Sequence, residues 1–307
     1  MNRYIPLSFV REEALKLGFQ DCGAAKAGVC EHSNLDYWLE NNYNADMGYM
    51  SANYDKRIDV NKLFEGAKTV FSFLISYNTT AEYVDNKLIA TYALGNDYHK
   101  VLKQKLFTLL QTIQLKYPDF EAKICVDTVP ILERQWAVES GLGWIGKNSC
   151  LINKRYGNKV FLAELICNYE SDYSEKQNNA CGNCNKCIES CPNKAIVSEG
   201  VIDCNKCISY QTIENKNNIP SNINLSNYVY GCDICLNACI WNNKAEKVNN
   251  KEFEPSEAML NLIRRIEDGN LEKSDFNQAR KHSPIERVKY DKLLDNIKLA
   301  KSQSFEK

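Results

Sequence analysis

Neither sign of charge dominates this chain: 38 Lys and Arg stand against 39 Asp and Glu, a formal net charge of -1. A globally basic nucleic-acid coat is thereby excluded, although a local basic face is not. Long apolar runs are missing as well. The densest, residues 70–75 and 160–163, are far too short to span a bilayer, and the mean hydropathy is -0.45. The first ten residues lack the charged-then-apolar pattern and small-residue cleavage site of an export signal. No Gly-x-Gly-x-x-Gly follows a strand pattern, which argues against a Rossmann nicotinamide or flavin site. No repeat of about 20 to 50 residues is evident, so a solenoid is not expected. These absences predict a soluble, cytoplasmic protein with no membrane partner.

What the chain has in excess is cysteine. There are fourteen in 307 residues, and nine of them fall between Cys181 and Cys239. Without an export signal the thiols stay reduced, so metal or redox chemistry explains them better than a disulfide scaffold. The other five, Cys22, Cys30, Cys125, Cys150 and Cys167, lie among apolar neighbours or at loop edges and read as small buried hydrophobes.

Three regions separate by composition. Residues 1–175 read as a mixed α/β unit, residues 176–245 as a cysteine-rich unit opened by the polar linker 175–179, and residues 246–307 as a charged helical segment. A helix is expected over residues 8–17, stopping at Gly18, and a strand over 66–75. Residues 101–115 place Leu102, Leu106, Leu109, Leu110 and Ile113 on one helical face. A short buried strand over 123–126 precedes a helix over 130–140 with Pro130 in its first turn. Residues 148–152 and 159–167 read as a hairpin around residues 155–158. The expected class is α/β (α+β): a helix-covered sheet, then a ferredoxin-like unit and a short helical tail.

The run Cys181-x2-Cys184-x2-Cys187-x3-Cys191-Pro192 matches bacterial ferredoxins, in which three thiolates hold one 4Fe-4S cube and the fourth reaches a second. Zinc sites pair two separated Cys-x2-Cys hairpins, and a third cysteine so close fits them poorly. Cys232-x2-Cys235-x3-Cys239 looks like the second half of the same design. Cys181, Cys184, Cys187 and Cys239 complete one cube, while Cys191, Cys232 and Cys235 leave the other one ligand short. Cys204 and Cys207 are both available, and spacing does not choose between them. A ferredoxin alone needs about sixty residues, so the long region before the clusters is expected to hold the electron acceptor.

Several segments in order carry a specific likeness: Tyr92-Ala-Leu-Gly-Asn-Asp-Tyr-His99, Val126-Asp-Thr-Val-Pro-Ile-Leu-Glu133, Gly141-Leu-Gly-Trp-Ile-Gly-Lys-Asn-Ser149, Cys207-Ile-Ser-Tyr-Gln-Thr-Ile-Glu214 and Gly231-Cys-Asp-Ile-Cys235. Together they resemble the epoxyqueuosine reductase family over residues 57–242. The resemblance implies an oxidoreductase that uses cobalamin and two 4Fe-4S clusters for the last step of making queuosine in tRNA. It also implies Cys207 as the missing ligand. Departures are Ile240 where the family's Cys-Pro-Trp-Asn has proline, Gln211 in place of an apolar residue, and no helical-repeat extension of the kind longer members carry.

Turning an epoxide into an alkene takes two electrons and two protons, and no side chain supplies low-potential electrons, so a cofactor must. Nucleophilic attack by cob(I)alamin and electron transfer without a carbon–cobalt bond both remain open. The resemblance makes Asp127 the proton donor, and burial beside a corrin is expected to raise its pKa. Corrin contacts implied are Arg57, Tyr98, Asp127, Asn148, Ser149, Ser209, Cys232 and Asp233. Gly143 and Gly146 either admit the cofactor or make a tight turn. The only histidines are His32, His99 and His282, and none begins an Asp-x-His-x-x-Gly signature, since Leu102 stands where glycine is needed after Asp97-Tyr-His99. A histidine-ligated cobalt is therefore not expected, and the resemblance implies a corrin with no protein ligand beneath its cobalt. Expected partners are a tRNA anticodon stem-loop, touched by Thr212 and a basic rim of Lys147, Lys154, Arg155 and Lys159, and an external low-potential electron donor. The chain is expected to be a monomer. Rival readings are a corrinoid iron–sulfur reductase of a small molecule, a non-catalytic electron carrier, and a nucleic-acid binder with structural clusters.

Overall fold

A computed structural model describes residues 3–79 and 88–304. Helix α1 (Leu7–Lys16) leads into strand β1 (Asp21–Lys26), and three short helices follow, α2 (Ser33–Glu40), α3 (Tyr49–Ala52) and α4 (Tyr54–Ile58). Strand β2 (Thr69–Ser76), helix α5 (Tyr98–Lys116), strand β3 (Ala122–Cys125) and helix α6 (Glu133–Glu139) come next. Strands β4 (Trp144–Ile145), β5 (Leu151–Ile152) and β6 (Val160–Cys167) close the first region. The cysteine-rich region holds α7 (Lys186–Ser190), β7 (Ile196–Ser198), β8 (Val201–Ile202), α8 (Ile208–Ile213) and α9 (Ile234–Asn237). The tail is α10 (Glu257–Asp268), α11 (Lys273–Ala279) and α12 (Tyr290–Ser304). Among the described residues no helix is long and apolar enough to cross a membrane.

The mixed α/β class is as expected. The four-stranded sheet runs in the order β1-β2-β6-β3, antiparallel at every step. β2 and β6 are its centre, rich in the aromatic and β-branched residues that suit a buried pleated surface. On one face Phe71, Phe73, Phe161, Ala163 and Leu165 meet Val10 and Ala14 of α1 and Leu102, Leu106, Leu109 and Ile113 of α5. This is the apolar stripe read from the α5 sequence. On the other face Val70 and Ile166 pack with Trp136, and Leu74 and Leu162 with Ala137, both from α6.

Between those two apolar patches a row of small and polar residues crosses the sheet: Gly23, Ser72, Glu164 and Cys125, in register. Helix α6 can lie close there because Gly23 has no side chain; a Cβ would stand 1.8 Å from the Ser140 carbonyl oxygen. Ser140 Oγ then meets Ser72 Oγ at 3.1 Å.

Two elements depart from expectation. The helix expected over 130–140 begins only at Glu133. Pro130 biases the residue before it towards extended backbone, and residues 126–131 form tight turns, with the Thr128 amide bonded to the Val126 carbonyl and the Ile131 amide to that of Val129. The expected hairpin does not form. β5 pairs with β4, while β6 has both edges taken by β2 and β3. Left-handed Gly141 (φ 73°) and Ser149 (φ 63°) flank β4 and return the chain onto it. The tail packs on the body: Met259, Leu262, Ile266, Phe276 and Leu293 share one core with Ile89, Leu94, Leu225 and Tyr230. Residues 305–307 of that tail lie outside the described residues.

The close approach of α6 yields a stability test. Gly23→Ala should cost about 3 kcal/mol through overpacking against backbone, while Gly28→Ala, whose Cβ would meet nothing within 4 Å, should stay within about 0.5 kcal/mol of the parent. Denaturant unfolding of both variants measures the difference, and equal losses would contradict this packing.

Candidate active site

Asp127 follows β3 on a turn with φ 52°, a left-handed conformation that a non-glycine residue adopts only when its surroundings hold it there. Two contacts hold it. The Asp127 amide donates to Glu133 Oε1 in the first turn of α6. On the other side Asp127 Oδ2 faces His99 Nε2 at 2.9 Å. His99 Nδ1 in turn faces Asp97 Oδ1 at 2.7 Å, and the same Asp97 oxygen caps α5 by accepting the His99 amide. The Tyr98 ring stacks on His99 (4.1 Å between centroids) and on Phe161 (4.4 Å, 7° between planes), which fixes the first turn of α5 against the sheet.

The charges follow from this geometry. Burial alone would lower the His99 pKa, but hydrogen bonds to Asp127 and Asp97 raise it to about 9. Burial would raise Asp127, yet the hydrogen bond and charge of His99, helped by Tyr98 and Arg287, hold it below the ordinary carboxylate value. The expected raised pKa of Asp127 is thus corrected: its side chain is 51% exposed and sits in an ion pair. The raised carboxyl is its neighbour Glu133, pushed up to about 8 by burial and by the charge of Asp127. Arg57 and Arg287 also bring positive charge to bear near Asp127.

All fourteen cysteines are free thiols. Cys181, Cys184, Cys187 and Cys239 line one hollow together with Lys147, Asn148 and Trp241. The second group is compact too: Cys235 lies within electrostatic reach of Cys150, Cys232, Cys207 and Cys191, and Cys232 within that of Cys207 and Cys191. Cys204 lies beside Cys207 and Asp203. Among the described residues no three His, Cys, Asp or Glu side chains converge on a single-ion site. The first four thiols instead stand around a space, as the corners of a polynuclear cluster require.

The other expected contacts divide. Arg57 is buried and donates to the Met50 and Tyr49 carbonyls, leaving part of its guanidinium towards Asp127. The loop carrying Asn148 and Ser149 bridges the two regions: Asn148 Nδ2 donates to the Cys235 carbonyl, and Ser149 accepts from Arg134 of α6. Asp233 is buried; Oδ2 accepts from the amide and hydroxyl of Thr91, while Oδ1 has no partner among the described residues. Ser209 lies half-buried in the first turn of α8. Gly143 and Gly146 face Ile152 across the β4–β5 hairpin, so the tight-turn reading is the one realised.

Thr212 is corrected. It is 0% exposed, its hydroxyl donates to the Ile208 carbonyl and accepts the Gly231 amide, and it cannot reach a nucleic acid. Gln211 is buried as well, bonded to the Asn205 carbonyl and Asn215. Of the basic rim, Lys147 is corrected, being buried between Glu199 (2.8 Å) and Asn185 (3.0 Å), whereas Lys154 and Arg155 are exposed, with Arg155 paired to Glu246 at 2.8 Å. The three histidines lie in different settings. His32 is bound to the Cys30 carbonyl, His99 lies between two carboxylates, and His282 is exposed on a left-handed turn. Sequence reasoning missed Glu133, Glu164 and Arg287. Glu164 was discoverable, being the one acidic residue inside the apolar β6 pattern.

Two family models match the chain. One, described as "Epoxyqueuosine reductase QueG, DUF1730", covers residues 57–128; the other, described as "4Fe-4S double cluster binding domain", covers residues 180–242. The epoxyqueuosine reductase of Cyclobacterium marinum is 38% identical over 303 residues, 96% of each chain. That of Synechocystis sp. is 39% identical over 263 residues, 83% of this chain and 90% of its own. The epoxyqueuosine reductase structure from Streptococcus thermophilus gives a TM-score of 0.82 at 26% identity, covering 97% of this chain and 81% of that one. An epoxyqueuosine reductase crystallised with a tRNA-Tyr epoxyqueuosine-modified stem loop gives 0.86 at 24% identity, covering 96% and 80%, a likeness of fold.

The raised pKa of His99 sets a pH window. Its ion pairs contribute their full stability below pH 6.5, the ordinary histidine value, and lose it as pH rises through about 9. The melting-temperature penalty of His99→Gln should therefore be largest on the acid side of this window and shrink across it. A penalty that does not change with pH would contradict the pairing.

Proposed function

The chain belongs to the epoxyqueuosine reductase family, and on that premise we propose that it reduces epoxyqueuosine to queuosine at the wobble position of tRNA anticodons, with Asp127 handing the proton to the departing oxygen. The observation that carries this reading is the Asp97–His99–Asp127 chain, half open to solvent, which an electron carrier or a structural cluster protein would not need.

In this reading residues 1–175 bind cobalamin and substrate, residues 176–245 hold the clusters, and residues 246–307 buttress them. Cys181, Cys184, Cys187 and Cys239 ligate one 4Fe-4S cluster; Cys191, Cys207, Cys232 and Cys235 ligate the other. The cobalamin would lie over Asp127, against Arg57, Tyr98, Asn148, Ser149, Ser209 and the Cys232–Asp233 peptide. The residues fit such a group: a corrin rim carries amide side chains, and the unpartnered Asp233 Oδ1 is a buried acceptor that an amide can satisfy. When bound, it would supply the two low-potential electrons, fed through the clusters from an external donor.

The protein's own part is the proton. At neutral pH His99 carries one on Nε2 and Asp127 is ionised, so the proton passes from Nε2 to Oδ2 and on to the oxygen, while Asp97 steadies the imidazolium. A wobble base is already unpaired and can be splayed into the site. Arg287, on the same mouth and bidentate to Glu214, replaces Thr212 as the candidate phosphate contact.

Two measurements test these assignments. Asp127→Asn should keep iron and cobalamin but lose at least about a hundredfold in turnover of an epoxyqueuosine-bearing anticodon stem-loop; unchanged turnover would remove Asp127 from the reaction. Cys207→Ser should lose about half of the cluster iron, the share of one cube in two, whereas Cys204→Ser should retain it. The reverse pattern would reassign the eighth ligand.

A further inference from the structure

Beneath Asp127 lies a pair of carboxyl groups that the reaction as described does not use. Glu164 sits mid-strand in β6, opposite Cys125 of β3, on the sheet face covered by α6. It is fully buried, and neither carboxyl oxygen has a hydrogen-bond partner among the described residues. An ionised carboxylate does not persist in such a place, so Glu164 is the neutral acid. The charge acting on it is that of Glu133. Glu133 in turn reaches up to the Asp127 amide through Oε1. Buried Glu164 and half-buried Glu133 thus lie between the sheet and the Asp127 turn.

The stoichiometry of the proposed reaction gives them work. An epoxide, two electrons and two protons yield an alkene and water: both carbon–oxygen bonds break, and the oxygen must take up both protons to leave. His99 accounts for one. We infer that Glu133, backed by Glu164, is the reserve for the second proton, which it passes to the Asp127 carboxylate after the first has been spent. This rests on the function proposed above. In the step, Glu133 becomes a carboxylate and Asp127 an acid; Asp127 then protonates the oxygen and ends ionised, as it began. A neutral Glu164 does not oppose the new charge on Glu133 as an ionised one would. Both stores refill from solvent. Glu133 is accordingly a positioning and proton-holding residue, acting only through Asp127.

The groups that set its titration come from every side: Asp127 from the turn, His99 from α5, Arg134 from its own helix, Glu164 from β6, with Cys125 of β3 and Tyr98 of α5 also coupled to it. Burial and Asp127 place its titration at about 8. Since the protonated form is the working one, the rate must fall as pH rises through that value.

The test uses Glu133→Gln, whose side-chain oxygen can still accept the Asp127 amide but which has no proton to give. In single turnovers of pre-reduced holoenzyme, the wild type should show an alkaline limb near pH 8. Glu133→Gln should lose that limb, keep only the one near pH 9 set by His99, and turn over on the order of tenfold slower at neutral pH, and Glu133→Asp should retain the limb near pH 8. Infrared difference spectra across the same pH range read the acid directly, without turnover. The wild type should lose one protonated-carboxyl band that Glu133→Gln lacks and keep a second that Glu164→Gln lacks. A slower Glu133→Gln with the limb intact would reduce Glu133 to a tether for the turn and overturn the inference, as would an unchanged carboxyl band. A wild type that binds its cofactors but never reduces the substrate would instead defeat the proposed function, leaving the infrared result to stand alone.

Discussion

The contact between His99 Nε2 and Asp127 Oδ2 constrains everything around it. It holds a left-handed aspartate in place, keeps that aspartate ionised and keeps the histidine charged. It also consumes the only histidine in the site, so the imidazole that could have approached a metal is spent on a carboxylate. One hydrogen bond thereby sets the resting charge of both Asp127 and His99.

The scaffold supporting that contact is an antiparallel sheet with an unusual inner face. A sheet face under a helix is ordinarily apolar throughout, yet here Gly23, Ser72, Glu164 and Cys125 form a polar or small row beneath α6. Leaving a carboxyl such as Glu164 without a partner costs stability. Rule-breaking of this kind is expected where function demands it, and the row ends two residues short of Asp127. On the far side, the loop of Asn148 and Ser149 ties the β4–β5 hairpin to the Cys232–Cys235 segment and to α6, so the cysteine-rich region and the Asp127 turn share one framework.

Much of this was legible in the sequence, for identifiable reasons. The α1, α5 and β2 segments carry plain periodicity, and the ferredoxin spacing is chemically distinctive enough to sort most of the cysteines. Other features were hidden by tertiary context. β1, Asp-Cys-Gly-Ala-Ala-Lys, lacks the residues that favour strands and is held by pairing to β2. The hairpin was misread because β6 has the composition of a partner strand, but its edges belong to β2 and β3. Thr212 and Lys147 looked like surface residues by type, and burial overrode type in both. The charge of Asp127 was misjudged because its controlling partner, His99, is 28 positions away, and sequence alone does not show that they meet.

The corrin-binding claim meets its most direct test in the electron paramagnetic resonance spectrum of cob(II)alamin added anaerobically to the iron-loaded protein. With His99 committed to Asp127, the spectrum should be that of a bound, base-off cobalt carrying no protein nitrogen. A cobalt signal split by a histidine nitrogen, or a corrin that stays unbound, would contradict the account.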